Sequence, residues 1–231
     1  MRKRILIGFV IILSLFLLGA CGNDAQDHFK RNGNMKKEDH QTTEVFKVVI
    51  DPGHGGQDKG TTGADGRYEK DFTLSLGKKV EGLLKKEQGI KVYMTREDDD
   101  FISQTSRYRP NYANKLNADL YISIHANAFT DSTVSGTQTY YYHAGSQAFA
   151  KILQKHIAKA TGFPDRGVKK EDLFVVKDTK MPAALVEVGY LTNPHDEAKM
   201  FADNFQKHIA DSMVNAIKEY KSQSSKKGFF L

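Results

Sequence analysis

From residue 45 onward the chain alternates short β-branched runs with longer stretches whose apolar residues recur every three or four positions. EVFKVVID predicts a first strand. DFTLSLGKKVEGLLKKEQG places Phe72, Leu76, Val80, Leu83 and Leu84 on one helical face, with Gly89 just past its end. KVYMTR predicts a second strand, and a helix is expected from about Gln104 to Lys115, with Pro110 leaving its start open. ADLYISIHAN, SGTQTYYYH, LFVVKD and AALVEVGYL predict four more strands. SQAFAKILQKHIAKATG reads as an amphipathic helix closed by Gly162, and FADNFQKHIADSMVNAIKEYK as a long final helix. Strands separated by helical periods indicate an α/β fold: a single domain with a mixed, largely parallel β-sheet covered by helices on both faces. This body spans residues 45–221, and the tail SQSSKKGFFL, residues 222–231, is expected to be disordered.

The first 44 residues follow a different pattern. MRKR precedes an uncharged run from Ile5 to Leu18, too short for a spanning helix but laid out as an export signal. The ending Leu18-Gly19-Ala20-Cys21 resembles the lipobox of bacterial lipoproteins. That resemblance implies a signal peptide over residues 1–20 and lipidation of Cys21, which as the only cysteine has no intramolecular disulfide partner. Two acyl chains would hold the protein at the outer face of the cytoplasmic membrane, facing the wall. Residues 22–44 are polar, without an apolar period, and read as a flexible tether. As a random coil, such a tether would span roughly 25–30 Å.

Composition narrows the function. At 231 residues, 39% hydrophobic and 27% charged, the chain can bury one good-sized core. The formal charge of +6 falls to +3 once Arg2, Lys3 and Arg4 are removed with the signal. With no basic stripe interleaved with aromatics, no nucleic-acid partner is expected.

The chemistry gathers at element ends. VVIDPGHGG runs from a strand into a glycine-rich turn that holds up His54, and a later strand ends in His125. Glu69 stands at the threshold of the first helix, and Glu187 interrupts the apolar run AALVEVGYL. Ligands of α/β sheets gather where strand ends open into loops. Two histidines and a carboxylate are the ligand set of several catalytic zinc sites. Taken alone, a histidine at a strand end is more often a hydrogen-bonded structural residue than a ligand, Glu69 reads as a helix-start carboxylate and Glu187 as an ion-pair partner. Asp51 and Asn127 either orient the histidines or form turns. His28 and His40 fall in the tether, while His156 and His208 fall in amphipathic helices. His143 ends a strand and His195 follows Asn193-Pro194, so both read as structural, and Arg109 reads as an ion-pair residue.

Four blocks together, IDPGHGG, YEKDFTLSL, ADLYISIHANA and RGVKKEDLFVVKDTKMPAALVEVGYLTNPHDE, resemble the zinc-dependent N-acetylmuramoyl-L-alanine amidases of the type-3 amidase family. The resemblance covers about Val45 to Tyr220 in the family's order. It implies that His54, Glu69 and His125 hold one zinc ion and that Glu187 is the catalytic carboxylate. It also implies a peptidoglycan substrate, cut between N-acetylmuramic acid and L-alanine. The protein is expected to be a monomer.

Overall fold

The computed structural model describes residues 45–226. The signal, Cys21, the tether with His28 and His40, and residues 227–231 lie outside the described residues. The elements run β1 (Phe46–Pro52), α1 (Glu69–Leu84), β2 (Ile90–Met94), α2 (Tyr108–Lys115), β3 (Leu120–Asn127) and β4 (Thr137–Tyr141). They continue with α3 (Gln147–Thr161), β5 (Asp165–Lys170), α4 (Phe174–Lys177), β6 (Ala183–Tyr190), α5 (Pro194–Met200) and α6 (Asp203–Lys226).

Six strands form one sheet in the order β2-β1-β3-β6-β4-β5. Every neighbouring pair is parallel except β4 with β6. The single α/β domain and its mixed, mostly parallel sheet thus match the sequence pattern. The central strands β1, β3 and β6 are nearly continuous apolar runs because both their faces are covered. On one face α1, α3 and α6 enclose the larger core, in which Leu76, Phe149, Leu153, Ile157 and Ile217 are fully buried beneath Ile50, Ile122 and Val186. On the other, α2 and α4 place Ala113, Val175 and Val176 against Val49, Tyr121 and Leu185. That second cover is smaller and leaves the strand ends open.

Several elements differ from the sequence reading. LFVVKD is not a strand: Phe174–Lys177 form the short α4, with Val175 and Val176 packed onto the sheet. The outer position beside β4 is taken instead by DRGVKK, an edge strand so exposed and polar that it carries no apolar alternation. The helix expected over 104–115 is broken. A single 3-10 turn at Gln104–Ser106 ends at Arg107 in the left-handed region, and α2 follows with Pro110 in its first turn, where a missing N–H costs nothing. Finally, α6 runs to Lys226, so residues 222–226 are helical and not part of a disordered tail; Ser224 is buried and its hydroxyl bonds Tyr220 and Lys221 carbonyls. Among the described residues, no helix is long and apolar enough to cross a membrane.

Candidate metal centre

Strand β1 delivers Asp51 and Pro52, both buried, to the edge of the cleft. Beyond them the chain reverses so tightly that His54 adopts a φ of 61°, a left-handed conformation that a side chain other than glycine's resists. Two arginines hold the turn. Arg109 Nη1 donates to the Pro52 carbonyl at 2.7 Å and Nη2 to the His54 carbonyl at 2.6 Å. Arg96 donates through Nε to Pro52 O at 3.0 Å and through Nη2 to Gly53 O at 2.9 Å, and Thr73 Oγ1 also donates to Gly53 O. Three consecutive carbonyls are thereby fixed, which offsets the local strain.

Asp51 anchors this clamp from beneath. Its carboxylate pairs with Arg109 and accepts hydrogen bonds from Thr95, Tyr121 and Ser123. Burial alone would raise its pKa; the Arg109 charge and the three hydroxyls overcome that and bring it to about 2. Asp51 therefore touches neither histidine ring and reaches His54 only through Arg109 and the backbone. Asn127 does not orient a histidine either: its Oδ1 accepts from the Ala128 N–H. The imidazole partner that the sequence reading missed is Asp58, whose Oδ1 lies 2.9 Å from His54 Nδ1.

Fixing Nδ1 in this way aims Nε2 of His54 at Glu69 Oε2, 3.1 Å away. The other carboxylate oxygen, Oε1, lies 2.9 Å from His125 Nδ1 and accepts the Ala126 N–H. Thr61 N–H donates to Oε2. Burial disfavours the Glu69 charge, but His125 and then His54 outweigh it, so this carboxyl is held well below the usual range. For His54 burial disfavours the cation, and Glu69 followed by Asp58 raise its pKa despite that. The two rings stand nearly perpendicular with centroids 4.9 Å apart. Glycine at 53 is a spatial requirement, because a Cβ there would overlap the His125 ring.

Glu187 completes the group from the next strand. It pairs in register with His125 across the parallel β3·β6 ladder, so the two side chains rise side by side. The residue retains partial exposure, yet its Oε2 is buried with no hydrogen-bond partner. Burial first, and then the neighbouring Glu69 charge, push its pKa well above the usual carboxylate range.

One ligand atom from each of His54, Glu69 and His125 lies within 4.8 Å of the others. Two imidazole nitrogens and a buried carboxylate are donors suited to a divalent ion such as zinc, and the orphaned Glu187 oxygen beside them is what a cation or polarised water would satisfy. The residues fit the group. A cleft of about 200 Å³ opens at the site, lined by His54, Asp58, His125, Ile102, Phe174 and Leu185 among others.

The remaining histidines lie elsewhere. His143 Nε2 bonds the Lys177 carbonyl, His156 pairs with Glu219 between α3 and α6, His195 sits beside the Asn193 cap of α5, and His208 is exposed on α6. Arg109 forms the ion pair expected of it, but its hold on the His54 turn was not foreseen.

Fold and site together define an α/β domain built around a His-Glu-His cluster able to hold a divalent ion, with an unpaired acid alongside. Residues 48–219 match the family model described as N-acetylmuramoyl-L-alanine amidase, and the chain belongs to that family of enzymes. It is 38% identical over 180 residues to the uncharacterized protein YqiI of Bacillus subtilis (strain 168), covering 76% of this chain and 85% of the relative. It is 37% identical over 179 residues to the probable cell wall amidase LytH of Staphylococcus aureus, covering 76% of this chain but 58% of LytH. Among solved structures, the catalytic domain of the amidase CwlV from Bacillus (Paenibacillus) polymyxa var. colistinus superposes with a TM-score of 0.74 at 42% identity. That match covers 77% of this chain and 98% of CwlV's.

Proposed function

We propose that this protein is a zinc-dependent peptidoglycan amidase that hydrolyses the bond between N-acetylmuramic acid and the L-alanine of the stem peptide. The observation that carries the reading is Glu187: a carboxylate with a buried, unpartnered oxygen, one strand from His125 and beside Glu69. His54, Glu69 and His125 would hold the ion. When bound, zinc supplies positive charge that polarises a carbonyl and makes water more acidic.

The chain's own residues do the rest. Asp58 keeps His54 presenting Nε2 to the site. The Arg96 and Arg109 clamp keeps the turn that carries His54 rigid. Glu187 takes a proton from the attacking water and returns it to the departing L-alanine amine. An ion bound beside it would offset the Glu69 charge and favour the ionised form that takes the proton, while burial favours the protonated form that passes it on.

The family match and the cell-wall amidase among the relatives support the substrate class. The export signal and lipobox-like Leu18-Gly19-Ala20-Cys21 support anchoring through lipid on Cys21 at the outer face of the cytoplasmic membrane, with the catalytic body reaching the wall on its tether. Purified full-length protein with zinc is expected to release from peptidoglycan free stem peptides that begin with L-alanine, as read by mass analysis. Cleavage within the stem peptides would instead make this a wall peptidase. Fatty-acid labelling that persists in Cys21→Ala would remove the anchor from the account.

A further inference from the structure

Among the described residues, three buried side-chain atoms have no hydrogen-bond partner: Glu187 Oε2, Glu197 Oε1 and Arg67 Nε. The first belongs to the metal centre. The other two face each other 3.8 Å apart, where the first turn of α5 meets the loop that leads into α1. Glu197 is only 1% exposed. A carboxylate so deeply buried is costly unless what it holds offsets the desolvation.

What it holds is a small hairpin. Between Thr61 and Glu69 the chain doubles back. Thr62 bridges Tyr68, Gly63 N–H donates to the Arg67 carbonyl at 2.7 Å, and Glu69 N–H donates to the Thr61 carbonyl at 2.9 Å. The tip is docked through Ala64 N–H to the Leu191 carbonyl at 3.0 Å and Asp65 N–H to Glu197 Oε2 at 2.9 Å. Arg67 pairs with Asp65 and lays its guanidinium over the Phe201 ring. The contact is close: a Cβ at Gly63 would collide with Glu197 Oε1.

The base of this hairpin carries the carboxylate of the metal cluster. Two backbone N–H groups orient Glu69. Ala126 N–H holds Oε1 beside His125, and its place is set by β3 within the sheet. Thr61 N–H holds Oε2, the oxygen 3.1 Å from His54 Nε2. Thr61 stands on the hairpin, outside the sheet, so its place depends on what docks the tip. The same turn of α5 also fixes the other side of the centre: Asp196 accepts the Tyr190 N–H at 3.1 Å, three residues past Glu187. Two adjacent acids thus tie the hairpin that carries Glu69 to the strand that carries Glu187.

We propose that Glu197 is a positioning residue for the metal centre: by holding the Asp65 N–H it keeps Thr61 N–H, and through it Glu69 Oε2, in place for the ion. The proposal rests on the reading of His54, Glu69 and His125 as metal ligands and adds a residue outside that cluster.

The test titrates zinc into full-length metal-free protein against a chelating dye and melts the same samples without zinc. Glu197→Ala should weaken zinc binding about tenfold, the low end for a group that supports a ligand. Glu197→Gln, whose amide oxygen can still accept the Asp65 N–H, should lose markedly less. Gly63→Ala pushes the tip off an intact Glu197 and should also weaken binding. In the double variant the collision is gone, so it should match Glu197→Ala instead of multiplying the two losses. A purely structural acid would lower the melting temperature and leave zinc affinity unchanged, and that result overturns the proposal. So do losses that multiply, or a glutamine variant as weak as the alanine one. Where Glu197→Ala does not fold, Gly63→Ala decides: weakened binding supports the proposal and wild-type affinity overturns it. Wild-type protein that binds no zinc would instead overturn the metal-centre reading, and this assignment with it.

Discussion

His125 and Glu187 occupy the same register position on neighbouring parallel strands, one closing the metal cluster and the other standing beside it without a partner. Adjacent strands are about 5 Å apart, so the fold fixes the spacing between ligand and acid through backbone hydrogen bonds rather than through loops. Catalytic groups carried on paired strands keep their geometry when the loops around them move.

That relationship makes Glu187→Gln the sharpest test of the mechanism. The amide keeps the shape but cannot carry the proton, so kcat should fall about 100- to 10,000-fold. The metal content should stay at one ion per chain, because Glu187 lies outside the His54-Glu69-His125 cluster. Stability of the metal-free protein should not drop, since a buried acid with no partner is being neutralised. Hydrolysis of a muramyl peptide, zinc analysis and thermal melting of the same sample check the three outcomes; full activity would remove Glu187 from the mechanism.

Gly53 predicts a failure of the opposite kind. An alanine Cβ there would overlap the His125 ring, which would have to rotate away from Glu69. Gly53→Ala should therefore lose metal affinity by more than about tenfold, comparable to damage at a ligand's supporting shell. The backbone there is not in the left-handed region, so the fold should survive and circular dichroism should stay unchanged. Zinc titration against a chelating dye reads the loss; wild-type affinity would show that His125 does not need its present position.

Asp58 offers a milder version. Its carboxylate fixes Nδ1 of His54 and so selects the nitrogen that faces Glu69. Asp58→Asn keeps a hydrogen-bonding group there but loses its charge, and zinc affinity should fall about 10- to 100-fold. Saturating zinc should restore most of the activity, which distinguishes an orienting role from a chemical one.

How much of this the sequence showed depended on where each residue sat. His54, Glu69, His125 and Glu187 were legible because each interrupts or ends a strongly patterned element, and the four blocks that carry them resemble one family. Asp58 was not: an acid four residues past a histidine, in a glycine-rich loop, looks like any turn former. Asp51 read as either orienting a histidine or forming a turn, because nothing in a linear chain tells that Arg109, 58 residues on, will claim its carboxylate. Strand β5 escaped notice because an exposed edge strand need not alternate, while the apolar LFVV was too short to distinguish strand from helix. The register slip that sets Tyr190 opposite Asn127 depends on pairing between strands more than 60 residues apart, which periodicity along one strand cannot reveal.

The buried Asp51–Arg109 pair should appear as a pH-dependent share of stability. Asp51 has its pKa lowered from 3.8 to about 2, so the folded state prefers the ionised form more strongly than the unfolded chain does. A depressed carboxyl contributes its full stabilisation above the unfolded value, near pH 4, and loses it as pH falls through the folded value, near 2. The shift corresponds to roughly 2 kcal/mol. Asp51→Asn should cost more than that at pH 7, about 3–5 kcal/mol, because it leaves the Arg109 guanidinium buried without its counter-charge. Urea unfolding of both proteins at pH 7, 4 and 3 should show the gap between them constant down to about pH 4 and narrowing below it. A gap that stays constant to pH 3 would mean that the Asp51 charge is not what holds Arg109, and with it the His54 turn, in place.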